Sequence, residues 1–86
     1  MMEIVFHKRF KKQYRKLRGS QQQIDERLVL FKQDPLAPVL NNHALTREYK
    51  GYRSINITGD LRALYEPIGK NAAFFITVDT HSNLYK

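Results

Sequence analysis

The chain has no cysteine, only four glycines and three prolines among 86 residues, and few acids: eight Asp plus Glu against fifteen Lys plus Arg. Without cysteine there is no disulfide framework, no thiolate zinc site and no cysteine nucleophile, which fits a reducing cytoplasm. The glycines stand singly, so no Gly-rich loop cradles a phosphate. Long apolar runs are missing too. The longest covers residues 72–76, against the roughly 20 residues that cross a bilayer, and the run at 4–6 is too short for the core of a secretory signal. We expect a cytoplasmic protein that does not enter a membrane.

What is there bounds the answer further. Eighty-six residues make one domain, 1–86, and a chain this short buries only about 60 to 65% of its unfolded surface. A large cofactor would consume most of the core, so none is expected. Hydrophobic residues reach 42% and the net charge is +7. The first means that the chain folds. The second means that it attracts nucleic acid, an anionic surface or an acidic protein.

Glu3 to Phe6 reads as a short strand. From about His7 the period becomes helical, with Phe10, Tyr14 and Leu17 at i, i+4 and i+7. The opposite face carries Lys8, Arg9, Lys11, Lys12, Arg15, Lys16 and Arg18, while Glu3 is the only acid before Asp25. A solvated face normally mixes signs. A nucleic-acid surface through Lys8, Lys11, Lys12, Arg15 and Lys16 therefore stands beside the plain reading of an exposed helix. Gly19 breaks this helix, and Ser20 with Gln23 three residues on has the spacing of a capping box that starts another. Ile24, Leu28 and Phe31 give its apolar stripe, and Asp34-Pro35-Leu36-Ala37-Pro38 ends it, because proline disfavours helix in the residue before it.

From Tyr52 the period is two, with Ile55 and Ile57 on one side and Ser54 and Asn56 on the other. Gly59-Asp60 is a turn, 61–67 the next strand, 68–71 a turn around Gly69 and 72–79 the last strand, with Phe74, Ile76 and Val78 expected to face the helices. The order β-α-α-β-β-β indicates an α+β fold, an antiparallel-rich sheet with a helical hairpin on one face.

The residue types available for chemistry are limited. Three histidines, His7, His43 and His81, lie in separate segments with no H-x-x-x-H spacing, so a metal site is not expected. Ser20, Ser54 and Ser82 lack the setting of a hydrolase nucleophile. What remains is a polar cluster in the second half: His43, Lys50, Arg53, Asn56, Asp60, Arg62, Asp79, His81, Ser82 and Tyr85. Histidine moves protons near neutrality, a carboxylate orients it, cations brace a phosphate and an aromatic ring stacks on a base. These are the parts of a metal-free ribonuclease, whose nucleophile, the 2′-OH, is supplied by the RNA. The same residues also suit a module that binds RNA without cutting it. Asp60 is favoured in a tight turn for backbone reasons alone, Arg62 could pair with Glu66 or Glu48, His7 reads as structural, and Tyr14, Tyr49, Tyr52 and Tyr65 read as core or sheet-face aromatics.

Three blocks carry a family resemblance. His43-Ala44-Leu45-Thr46-Arg47-Glu48-Tyr49-Lys50-Gly51-Tyr52-Arg53 resembles the H-x-L-x-x-x-[WY]-K-G-Y-R stretch of the RelE/YafQ superfamily of bacterial toxins. Asp60-Leu61-Arg62-Ala63-Leu64-Tyr65 is similar to its D-x-R-x-x-Y strand, and Thr80-His81-Ser82-Asn83-Leu84-Tyr85 to the T-H-x-x-L-[FY] ending of the YafQ branch. The resemblance implies a RelE-like microbial ribonuclease fold and the toxin of a type II toxin-antitoxin pair. Such a toxin enters the ribosomal A site of the 30S subunit, cuts mRNA there without a metal or cofactor and is silenced by a cognate antitoxin protein. It also implies roles. His81 matches the proton-transfer histidine, His43 and Asp60 the rest of the YafQ-type catalytic set, Tyr85 the C-terminal aromatic that contacts the nucleotide, and Arg62 the phosphate-bracing arginine of the RelE branch. Lys50, Arg53 and Asn56 join the helix cations as RNA-binding residues. Asn56 stands where the YafQ pattern has a second histidine. It cannot exchange a proton near pH 7, which keeps open a weakly active or inactive module that binds ribosome, RNA or antitoxin without cleaving.

Overall fold

The computed structural model describes residues 1–85. Strand β1 (Glu3–Phe6) runs almost directly into helix α1 (Lys8–Lys16). His7 joins them as the helix cap: its extended backbone lets the Nδ1 atom accept the Arg9 N–H at 3.0 Å, the task that Ser, Thr, Asp or Asn usually performs. His7 is therefore structural, as expected. The helix stops at Lys16, ahead of Gly19, and a 3-10 turn (Arg18–Ser20) leads into helix α2 (Gln21–Gln33). The capping box expected at Ser20 does not form. Inside the 3-10 turn Ser20 takes φ −119° and ψ 3° and makes no side-chain cap, since a cap hydroxyl reaches the helix from an extended backbone. Gln21 instead donates to the Tyr14 carbonyl at 3.0 Å, and the Tyr14 hydroxyl donates to the Asp25 carboxylate at 2.7 Å, tying the two helices together. That bond, ahead of partial burial and the Asp25 charge, pushes the Tyr14 phenol above its ordinary pKa.

After α2 the chain passes a 3-10 turn (Pro38–Leu40), strand β2 (His43–Ala44), a second 3-10 turn (Arg47–Tyr49) and strands β3 (Arg53–Asn56), β4 (Leu61–Ile68) and β5 (Ala72–Thr80), ending in helix α3 (His81–Leu84). The strand order is β1-β5-β4-β3-β2, with β1 parallel to β5 and every other pair antiparallel. β2 and α3 were not expected: two residues are too few to set a period, and α3 is a single turn.

The core lies between the helix pair and one face of the sheet. Phe10, Ile24, Leu28 and Phe31 meet Ile55, Ile57, Ala63, Tyr65, Phe75 and Val78. Phe31 stacks edge-on against Phe75 at 5.2 Å and against Tyr65 at 4.9 Å, a geometry that aromatic quadrupoles favour. On β5 the expected facing is corrected. Ala73, Phe75 and Val78 are in the core, while Phe74 and Ile76 are half-buried. Leu64 pairs with Thr77 and Tyr65 with Phe75, so Ile76 is an extra residue in a β-bulge, and alternation counted back from Val78 changes phase there.

The second face of the sheet carries Ser54, Leu64 and Thr77 in one row across β3, β4 and β5. All three are buried, as is Leu84 of α3. This smaller layer supports the groove described next. No helix among the described residues is long and apolar enough to cross a membrane.

Candidate active site

A groove of about 660 Å³ opens on the face away from the helix pair, and four separate segments line it. β2 supplies His43, the following loop supplies Arg47 to Tyr49, the strands supply Ser54 and Arg62, and α3 supplies His81, Leu84 and Tyr85.

His43 is exposed on the edge strand, and its Nδ1 lies 2.8 Å from the Asn41 carbonyl oxygen. A carbonyl only accepts, so Nδ1 carries the proton and, in the neutral ring, Nε2 presents a lone pair. His81 opens α3. Its backbone N–H donates to the Asp60 carbonyl at 2.8 Å, and its ring lies 4.7 Å from that of Tyr85. Thr80 caps α3 by accepting the Asn83 N–H. Below it Asp79 acts as a clamp: Oδ1 accepts from the Thr80 N–H and the Asn83 amide, and Oδ2 accepts from Gln13 of α1 at 3.0 Å.

The loop before β3 grips the same helix. The Tyr49 hydroxyl donates to the Leu84 carbonyl at 3.0 Å, and its ring meets Tyr85 edge-on at 5.8 Å. Tyr49 was expected among core or sheet-face aromatics. It is a groove residue, and its place one position before Lys50-Gly51 in the first motif block is the signal that pointed here.

Arg62 lines the groove, but its Nη1 donates to three turn carbonyls, Thr58 at 3.0 Å, Gly59 at 3.2 Å and Leu61 at 3.1 Å. It closes the β3–β4 turn and pairs with neither Glu66 nor Glu48. Asn56 lies opposite Arg62 in register, and its Oδ1 is buried with no hydrogen-bond partner among the described residues. The Ser54 hydroxyl, on the groove floor, is buried without a partner as well.

The remaining candidates lie elsewhere. The Asp60 side chain is exposed in the turn and does not line the groove; its main chain serves the site by holding His81. Arg53 donates through Nε to the Asn42 side chain at 2.8 Å, and Asn42 donates to the Tyr65 hydroxyl, so Arg53 fastens the loop after α2. Lys50 is exposed outside the groove. Lys8, Lys11, Lys12, Arg15 and Lys16 are exposed on α1, which packs on the other face of the sheet. Lys11 and Arg15 border a second, apolar crevice of about 400 Å³ with Phe6, Phe10, Tyr14 and Leu28. The structure thus gathers His43, Arg62, His81 and Tyr85 in one groove.

Solved structures share this architecture. YafQ from E. coli superposes with a TM-score of 0.83 at 21% identity, over 100% of both chains. In the E. coli DinJ-YafQ complex the corresponding values are 0.81 and 21%, again over 100% of both. A copper-bound mutant toxin from Helicobacter pylori matches with a TM-score of 0.78 at 26% identity over 99% of this chain and 100% of its own. A comparison with curated protein sequences gave no significant match. The fold is that of the toxins of type II toxin-antitoxin systems. More narrowly, the profile of the family described as bacterial toxin of type II toxin-antitoxin system, YafQ, matches residues 2–86, and the chain belongs to that family.

Proposed function

We propose that the groove is the active site of a ribosome-dependent mRNA endoribonuclease that needs no metal and inhibits translation. The observation that carries this reading is the convergence of His43, Arg62 and the pair His81 and Tyr85, from three separate segments, on one open groove. In the proposed step the 2′-oxygen attacks the adjacent phosphorus, the bond from phosphorus to the 5′-oxygen breaks, and the products are a 2′,3′-cyclic phosphate and a free 5′-OH. His43 takes the 2′-OH proton through Nε2. His81 gives a proton to the leaving 5′-oxygen. Arg62 braces the phosphate with its remaining nitrogens, Asp60 supports His81, and Tyr85 stacks on a base. Lys50, Arg53 and the α1 cations contribute to the field that draws RNA, and the neutral Asn56 amide contributes a hydrogen bond to the strand. By analogy with the DinJ-YafQ complexes, a cognate antitoxin silences this chain in the cytoplasm.

The test is to induce the chain alone and map mRNA ends, beside a His81→Ala variant. General acid-base groups contribute about 10² to 10⁴ in rate, so the variant is expected to lose growth arrest and cleavage while remaining folded. Full toxicity at equal expression removes His81 from the mechanism. A second reading, a module that blocks the ribosome without cutting, is favoured by Asn56 in place of a histidine and by the turn carbonyls that occupy Arg62. Translation arrest with intact mRNA in wild type supports that reading.

A further inference from the structure

Among the described residues two that are not glycine have positive φ: Asn41 at 45° and Arg47 at 58°. Asparagine visits this left-handed region readily because its short amide bonds the local backbone. Arginine has no such compensation, and glycine would adopt the conformation without strain. The surrounding hydrogen bonds hold Arg47 there. Its carbonyl accepts the Lys50 N–H at 3.1 Å, and the Thr46 carbonyl before it accepts the Tyr49 N–H at 3.2 Å. Tyr49 in turn is bonded to Leu84, next to Tyr85. A strained residue held at a site wall is a pointer to function.

The side chain supplies the function. Arg47 is exposed and lines the groove together with His43, Arg62 and His81. Arg62, the other groove arginine, has Nη1 committed to three main-chain carbonyls. The Arg47 guanidinium takes part in no hydrogen bond among the described residues, so its full fork is available. The one groove acid, Glu48, is also exposed, and water screens its neighbouring charge. A planar guanidinium on a groove wall matches a phosphate, which it binds through two parallel hydrogen bonds.

We infer that Arg47 binds a backbone phosphate of single-stranded RNA at the rim of the groove, holding the strand across His43 and His81. This deepens the reading of the groove as an RNA site and rests on it. The left-handed backbone aims the loop, and the cation is retained there despite its conformational cost.

The test compares wild type, Arg47→Gly and Arg47→Lys by thermal unfolding and by titration with a short 2′-O-methyl oligoribonucleotide, which has no free 2′-OH and so cannot be cut. Glycine relieves the strain, so Arg47→Gly is expected to keep or raise Tm while binding about tenfold more weakly in 50 mM salt. The slope of log K against log salt should fall by about 0.7, the value for one phosphate on a single strand. Arg47→Lys keeps the charge and is expected to keep the slope. Wild-type affinity and slope in Arg47→Gly overturn the proposal, as does the same loss of slope in Arg47→Lys. If wild type does not bind the oligonucleotide in 50 mM salt, the Arg47 proposal fails, while the ribosome-dependent reading of the groove stands or falls separately on the mapped mRNA ends. If the Arg47 increment is present and mRNA in cells stays uncut, Arg47 stands and only the enzyme is lost.

Discussion

Asn56 concentrates the question of activity in one side chain. It faces the groove side of the sheet opposite Arg62, and its Oδ1 is buried without a partner among the described residues. Such an orphan acceptor is a cost of about 1 to 3 kcal/mol unless water or a ligand bonds it. Removing it breaks no bond between described residues, so Asn56→Ala is expected to leave Tm within a few degrees of wild type. Single-turnover cleavage on ribosomes should slow without stopping if Asn56 orients a neighbour, and Asn56→His should keep or raise the rate by restoring a group that exchanges protons near pH 7. A wild type that cuts nothing and an Asn56→His variant that does would make the native chain a blocking module.

At the scale of elements, α3 is too short to be stable by itself: a single turn has paid the nucleation cost with almost no propagation. Its position depends on what grips it, namely the Thr80 cap, the Asp79 clamp, buried Leu84 and the Tyr49 hydroxyl on the Leu84 carbonyl. Tyr49→Phe removes one hydrogen bond and keeps the ring, a loss of about 1 kcal/mol in stability. Because that bond positions His81 and Tyr85, kcat is expected to fall more than the stability loss alone explains, with KM little changed. Equal kcat in Tyr49→Phe would make the bond ornamental. Deleting Tyr85 and Lys86 is expected to disarm the toxin with little change in Tm, since Leu84 stays and terminal residues rarely hold up a core. Lys86 itself lies outside the described residues. A large drop in Tm would instead make Tyr85 a packing residue.

For the whole molecule, the α1 cations and the groove lie on opposite faces of one sheet. The groove faces one way, while Lys8, Lys11, Lys12, Arg15 and Lys16 extend from α1 on the other. With a net charge of +7, the protein presents cations on both faces. Reversing Lys11, Lys12, Arg15 and Lys16 to Glu is expected to weaken ribosome binding strongly and flatten its dependence on salt between 50 and 200 mM, because released counterions supply that dependence. The fold should persist, since these side chains are exposed. Cleavage at saturating ribosome should be nearly unchanged. Identical binding in both salts for wild type and variant would reduce α1 to a solvated face.

Much of the fold was legible in the residues themselves. The stripes Phe10, Tyr14, Leu17 and Ile24, Leu28, Phe31, the alternation of Ile55 and Ile57, and the stop at Asp34-Pro35 are local patterns set by the period of each element and by proline geometry. The family was readable too, because three motif blocks keep their order along the chain, and the fold brings four of their residues, His43, Arg62, His81 and Tyr85, into one groove. The tertiary structure decided the rest. Parallel pairing of β1 with β5 brings together residues about 70 positions apart in register, Glu3 with Ala72, and no period in a strand encodes its neighbour. The bulge at Ile76 turned Phe75 inward, which only the partner strand can impose. Tyr49, Arg53 and Asp60 took their places through hydrogen bonds to atoms far along the chain, while Arg62 turned back on the carbonyls of its own turn. A residue's type says what bonds it can make, and the fold alone says which partner arrives.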